Sequence, residues 1–276
     1  MPDFLEEYEK NKTPSSVNID IAGDEALEFP ADGEVVLHGR RLIIASRKLH
    51  LVGNFRIVQF NDSDIADPIT EVAPKGSDGL PGKRPSGRNG YPGKPGEPGK
   101  TGKTGLGGSD APLIFIEADE ITGDGALTIV NQGASGGKGG QGGLGGTGGR
   151  GENGANGSDS LVDCKAGGGD GGDGGRGGNG GRGGIGGKGG KGGRVRLGGA
   201  AWQAYEDKVF VVDISGGTGG QGGDPGVKGS GGEPGLGGAG STYCSGGRGG
   251  TKGPDGADGS TGARGQSGQP GSVERT

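Results

Sequence analysis

The sequence predicts an all-β fold extended by polyproline II: a short-stranded β-solenoid or sandwich base carrying a bundle of polyglycine II helices. Three observations predict it. Glycine supplies 78 of 276 residues, roughly four times ordinary usage, and in long tracts it recurs at every third position. Hydrophobic residues reach only 26% and aromatics 4%, too few to give the whole chain an oily core. The apolar residues that exist are gathered into short runs bounded by turn residues, the pattern of β-strands.

Residues 1–16, MPDFLEEYEKNKTPSS, read as a polar N-terminal arm of one or two helical turns. Residues 17–75 read as a short-stranded β domain. Within it Val17-Asn18-Ile19-Asp20-Ile21 and Lys48-Leu49-His50-Leu51-Val52 alternate, while Glu34–Leu37, Arg41–Ile44 and Phe55–Val58 are apolar runs. Their spacing of about eight residues suits a sandwich or a solenoid of stacked rungs.

Residues 76–276 read as a glycine-rich bundle interrupted by β segments at 112–130 and 194–214. Five tracts are expected. One starts at Gly76, slips phase at Arg84-Pro85-Ser86 and resumes from Gly87 to Gly108. The others run Gly136–Gly157, Gly168–Gly192, Gly217–Gly238 and Gly247–Gly271. An internal repeat emerges, since Ser135–Gly143 matches Ser215–Gly223 at eight of nine positions. Each unit reads as strand, outgoing tract, polar tip, returning tract and next strand. The tips Ser158–Cys164 and Ser241–Cys244 each carry one of the two cysteines.

Three residues per turn is the period of the polyproline II helix, which has no internal hydrogen bonds. Its amides and carbonyls must find partners in water or in neighbouring chain. A Gly-Gly-X helix has two bare ridges and packs on two faces; a Gly-X-Y helix has one bare ridge and packs on one. The almost pure Gly-Gly-X tract from Gly168 to Gly193 is therefore expected at the centre. Its one ridge runs from Asp170 and Asp173 to Lys188, Lys191 and Arg194, acidic to basic. The tracts around Tyr91–Pro98 and Asp255–Arg264 carry two side chains per triplet and belong outside. A collagen-type trimer is the rival architecture, but it needs only one glycine per triplet, so a monomeric bundle is expected. Disorder is the other alternative, because periodic glycine also occurs in flexible chains.

The charge of −5 and pI near 5.2 argue against nucleic acid as partner. No apolar run is long enough to span a bilayer, and the N-terminus lacks the design of a secretory signal. Localisation stays open between the cytoplasm and delivery on a phage or secretion-machine particle. Gly96–Thr104 fails the spacing of a phosphate-binding loop, because positions 94 and 97 are Lys94 and Glu97. Asp-Gly pairs at Asp170, Asp173, Asp255 and Asp258 lack the aliphatic residue of calcium-binding β-rolls, so no metal is expected. His38 and His50 sit in strand-like stretches, with no nucleophile setting nearby. Neither catalytic residues nor a cofactor are expected. Trp202 and Tyr205 are expected to close off the β base. A Cys164–Cys244 bridge would clamp the tips if their Cα atoms came within about 7 Å; two free thiols fit the sequence equally well.

The tracts at 76–108, 135–194 and 215–271 resemble those of bacterial and phage collagen-like glycine-rich proteins. They are also similar to the polyglycine II bundles of the snow flea antifreeze protein, of tip adhesins of T-even-like phages, and of the amino-terminal domain of Obg-type GTPases. The adhesin resemblance implies a non-enzymatic structural and adhesive module whose tips or outer ridges meet a protein, cell-surface or glycan receptor. On this chain the tip residues are Asp163, Cys164, Lys165, Thr242, Tyr243 and Ser245. The GTPase resemblance implies a different class, a regulatory or targeting domain that docks a partner enzyme, toxin or delivery machine. The antifreeze resemblance implies ice binding, to which the charged ridge at Lys138, Arg150, Asp170 and Arg182 is unsuited.

Overall fold

In the computed structural model, which describes residues 1–59, 70–83 and 87–276, the apolar runs form two parallel sheets. One orders β1 (Asn18–Phe29), β3 (Arg41–Leu51), β5 (Ile114–Gly123), β9 (Arg194–Gly199) and β11 (Ser272–Arg275). The other orders β10 (Val209–Asp213), β6 (Leu127–Asn131), β4 (Phe55–Gln59) and β2 (Gly33–Val36). Along the chain these strands alternate between the sheets, and every pairing within the two sheets is parallel. The expected solenoid does not form: the sheets are separate and open. Between β4 and β5, β6 and β9, and β10 and β11 the chain leaves the base through glycine tracts, so beyond β4 the rungs do not close one on the next.

Period-2 alternation directs one face of each sheet inward. Ile19, Leu42, Ile114 and Val195 lie side by side in register across four strands, and all four are fully buried. They join Ile57 and Ile129 of the second sheet in one core. Two of the expected strands are longer than their apolar runs. β1 continues to Phe29 through an irregularity between Gly23 and Ala26. In β3, Ala45-Ser46-Arg47 links the two expected runs, and the inward Ser46 is satisfied because its hydroxyl donates to Glu25 O at 2.9 Å.

The N-terminal arm is a helix, α1 (Phe4–Asn11), with Asp3 accepting the Leu5 amide at 2.7 Å. It is less polar in effect than its composition suggests. Phe4 and Tyr8 are i, i+4 neighbours on one helix face, and both are buried. Phe4 stacks on Phe29 at 4.4 Å and meets Phe55 edge-on at 5.2 Å. The Tyr8 hydroxyl donates to Val36 O at 2.8 Å, and burial raises its phenol pKa. At the far side of the base, a short helix α2 (Ala200–Gln203) follows β9. There the Arg275 guanidinium of β11 lies 4.2 Å from the Trp202 ring centre and 5.3 Å from that of Tyr205.

The tracts prolong the two sheets. Residues 73–82 (tract 1), 133–157 (tract 3) and 214–240 (tract 5) follow strands of the second sheet. Residues 90–111 (tract 2), 168–193 (tract 4) and 246–271 (tract 6) lead into β5, β9 and β11. The expected phase slip at Arg84-Pro85-Ser86 lies outside the described residues. On either side of it the chain runs antiparallel, Lys94 N–H donating to Leu80 O at 2.9 Å and Lys100 N–H to Pro74 O at 3.0 Å. What reads as one tract is therefore two.

Tracts 1, 3 and 5 make one layer and tracts 2, 4 and 6 another, parallel within a layer and antiparallel between them. Tract 4 bonds to four neighbours. Its Gly171 and Gly174 amides donate to Arg248 O and Thr251 O of tract 6; Gly172 and Gly175 donate to Glu152 O and Gly149 O of tract 3. The carbonyl of Asp170 accepts from Gly90 of tract 2, and that of Gly172 from Gly235 of tract 5, each within 2.9 Å. The third amide of each triplet, on the residue carrying the side chain, has no backbone acceptor among the described residues; those of Asp170 and Lys191 donate instead to the Asn89 and Asp110 side chains at the ends of tract 2. A Cβ on Gly183 would overlap the Gly223 carbonyl, and one on Gly184 the Lys103 carbonyl, so both glycines of the triplet are needed for contact.

Candidate functional site

At the end away from the base, tracts 3 and 4 are joined by a two-stranded antiparallel hairpin, β7 (Ser158–Asp159) and β8 (Cys164–Ala166). The turn between them is built by short polar bonds: Ser160 N–H donates to Asp163 O at 2.8 Å, and Cys164 N–H to Asp163 Oδ1 at 2.7 Å. Tracts 5 and 6 are joined beside it through residues 241–245, closed by Ser241 N–H to Cys244 O at 3.0 Å.

A disulfide between Cys164 and Cys244 ties the two turns, with Cα atoms 4.9 Å apart and a sequence separation of 80. It forms because the parallel register of tracts 3 and 5 brings both tips to one level. The Gly157 amide donates to Ala239 O at 2.7 Å just before the turns begin. Asp159 adds a second tie, accepting from the Ser241 hydroxyl and, at 3.2 Å, from the Tyr243 amide. Arg88 adds a third, its guanidinium donating to Gly167 O at 2.7 Å and Asn156 O at 2.5 Å.

The structure thus brings all six expected tip residues to one surface: Asp163, Cys164 and Lys165 from one turn, and Thr242, Tyr243 and Ser245 from the other. All six are exposed, whereas Cys244 is buried. Sequence reasoning missed the apolar contribution. Leu161 is 96% exposed and Val162 82%, which makes them, with the half-exposed Tyr243, the apolar crown of a polar tip. Their signal was present, since two adjacent aliphatic residues at the apex of a polar turn have no core to enter.

The aspartates weighed against calcium have another task. Asp173 Oδ1 accepts the Thr251 amide at 2.7 Å, Asp255 the Gly231 amide at 2.9 Å, and Asp258 the Lys228 amide at 3.0 Å. Each carboxylate satisfies an amide of a neighbouring tract. The Thr251 amide holds the Asp173 carboxyl below the usual carboxylate range, and the Gly231 amide with Lys228 does the same for Asp255. His50 Nδ1 lies 3.0 Å from Thr122 Oγ1 in a sheet, and His38 is exposed. No helix among the described residues is long and apolar enough to cross a membrane.

No family model matches this chain, and no curated protein matches it. It is similar to a solved springtail antifreeze protein from Granisotoma rainieri, described as a nine polyproline type II helical bundle whose crystal waters match the ice lattice. The identity is 26% over 62% of this chain and 97% of that one, with a TM-score of 0.10. At that score the two chains do not superpose, and the likeness carries no argument about fold or activity.

Proposed function

We propose that the six tracts are polyglycine II helices packed as a two-layer bundle, and that the protein is a non-enzymatic adhesive module presenting its tip to a receptor. The helix reading is supported by the period of the lateral bonds. Donors recur every third residue along each tract, matching the three residues per turn of polyproline II. The binding reading is carried by one observation: the tip turns are fastened by a disulfide and side-chain bonds, and they present Leu161 and Val162, the most exposed large apolar side chains among the described residues. A disulfide, the Asp159 bonds and the Arg88 clasp fix the turns, while Leu161, Val162 and Tyr243 extend from them. Rigid display of exposed apolar and aromatic groups lowers the entropy lost on binding a partner.

The tip is tested by labelling the protein and measuring its binding to intact cells and to a panel of immobilised glycans. Leu161→Ser combined with Tyr243→Ala abolishes binding and leaves the thermal melt unchanged. Binding by that variant equal to wild type removes the tip from the account.

A further inference from the structure

Tract 4 changes character halfway along its exposed ridge, and the neighbouring amides change with it. In the half near the tip, Asp170, Asp173 and Asn179 accept the amides of Arg248, Thr251 and Ala257 of tract 6 at 2.7, 2.7 and 2.9 Å. The position between them, Arg176, has no acceptor to offer, and there tract 6 carries Pro254, which has no N–H. Each backbone amide of tract 6 that faces the ridge along this half is therefore either accepted or absent.

Towards the base the same register brings Arg182, Ile185, Lys188 and Lys191 beside Ser260, Ala263, Gln266 and Gln269. None of these four ridge side chains accepts a hydrogen bond. The four amides opposite them have no protein acceptor among the described residues, and neither Arg182 nor Lys188 has an ion-pair partner there. One half of the ridge thus supplies acceptor oxygens to the amides, and the other half places the cations Arg182, Lys188 and Lys191 next to amides left open. An outside anion at each position gains a charge-assisted contact and a backbone N–H together.

We propose that this stretch, from Arg182 to Lys191, binds a linear acidic polysaccharide. The proposal rests on the reading of the chain as a binding module, though not on its tip. Successive positions on a three-per-turn extended helix are about 9 Å apart in a straight line. That is the scale of one disaccharide, so a polymer with one acid per disaccharide meets them in step. Small polar flanks, Thr101 and Thr104 on one side and Ser260 on the other, suit sugar hydroxyls, and the half-exposed Ile185 offers an apolar contact for a sugar face. The track opens at the base into a cleft of about 420 Å³ lined by Arg41, Lys191 and Arg194 among others. Of the carboxylates at that end, Asp110 is occupied by the Lys191 amide at 2.7 Å and Glu274 by the Arg194 guanidinium at 3.0 Å. Nucleic acid is disfavoured because the track has no aromatic ring on which a base could stack and the net charge of −5 opposes its approach.

The test is isothermal titration of the full chain with hyaluronate, which carries one carboxylate per disaccharide, against neutral dextran, poly-glutamate and a single-stranded DNA oligomer. Hyaluronate binds in preference to all three, and its affinity falls as salt rises. Lys188→Asp weakens it by about ten-fold or more without lowering the melting temperature, because the new carboxylate accepts the Gln266 amide. Arg150→Gln, on the opposite layer, binds as wild type does. The Leu161→Ser tip variant also keeps its hyaluronate affinity, which separates this track from the tip. Hyaluronate binding no better than dextran, wild-type affinity in Lys188→Asp, or preference for DNA or poly-glutamate each overturns the proposal. Should hyaluronate fail while tip-dependent binding persists, the track alone is lost.

Discussion

At the scale of single residues, a tract position is glycine or not according to what its Cβ would touch. A methyl group on Gly184 would overlap backbone of tract 2, whereas one on Gly107 would come no nearer than 3.7 Å, to Lys188 O. Gly184→Ala therefore destabilises by about 3 kcal/mol or more, the upper range of overpacking. Gly107→Ala stabilises by about 0.4–1 kcal/mol through the unfolded chain. Denaturant titration of the two variants checks this. The carboxylates that satisfy neighbouring amides give a pH dependence. Lys75 with the Thr147 amide lowers the folded pKa of Asp78 from the ordinary 3.8, and the amides of Thr251, Ser215 and Gly231, the last with Lys228, lower those of Asp173, Asp213 and Asp255. A lowered folded pKa means stability present above the unfolded value and lost as pH falls through the folded one. Melting temperature is thus flat from neutrality to about pH 5 and falls below pH 4, and Asp173→Asn blunts that fall. These pairings were not legible in the sequence. The period of glycine is visible to inspection, but the partner of Asp173 lies 78 residues on, a register fixed only by the lengths of two tracts and a turn.

At the scale of elements, two fastenings matter most. α1 seats Phe4 against Phe29 and Phe55, so Phe4→Ala costs about 3–5 kcal/mol, read by chemical denaturation. The disulfide joins the tips across 80 residues; reducing it, or Cys164→Ser, costs about 2–4 kcal/mol. The loss shows as faster amide exchange at residues 157–167 and 240–246, while β3 and β5 keep their protection. The strands were legible because their alternation is strong, although their ends were not: Ser46 gave no apolar signal to link the halves of β3. α1 read as a polar arm because two aromatic residues among charges make only one i, i+4 pair. β11, with the four residues Ser272–Arg275, is too short for its alternation to stand out. At the tip, both cysteines and Tyr243 were readable, but Asp159 and Arg88 act through contacts that only the stacked turns create.

At the scale of the molecule, two sheets become two layers of glycine tracts without a break in order. The strands β5, β9 and β11 continue tracts 2, 4 and 6, while β4, β6 and β10 lead out to tracts 1, 3 and 5. The base supplies the hydrophobic core that the tracts lack, and its strand order sets which tracts become neighbours. Composition made the division into base and tracts visible, and Gly-Gly-X against Gly-X-Y indicated that tract 4 would have neighbours on both sides. The parallel sheets were not legible, because strands separated by long tracts give no local pairing signal of the kind a hairpin turn provides.

The most direct test of the intramolecular bundle is residue-resolved amide hydrogen exchange on the tracts. The account predicts protection at two amides of every three in tract 4, with Gly183 and Gly184 slow and Arg182 fast, repeated along its length except at Asp170 and Lys191, whose amides donate to Asn89 and Asp110. Protection at only one amide per triplet would indicate a collagen-type assembly with one glycine at its axis. Uniformly fast exchange would mean a disordered tract, and either result would contradict the bundle.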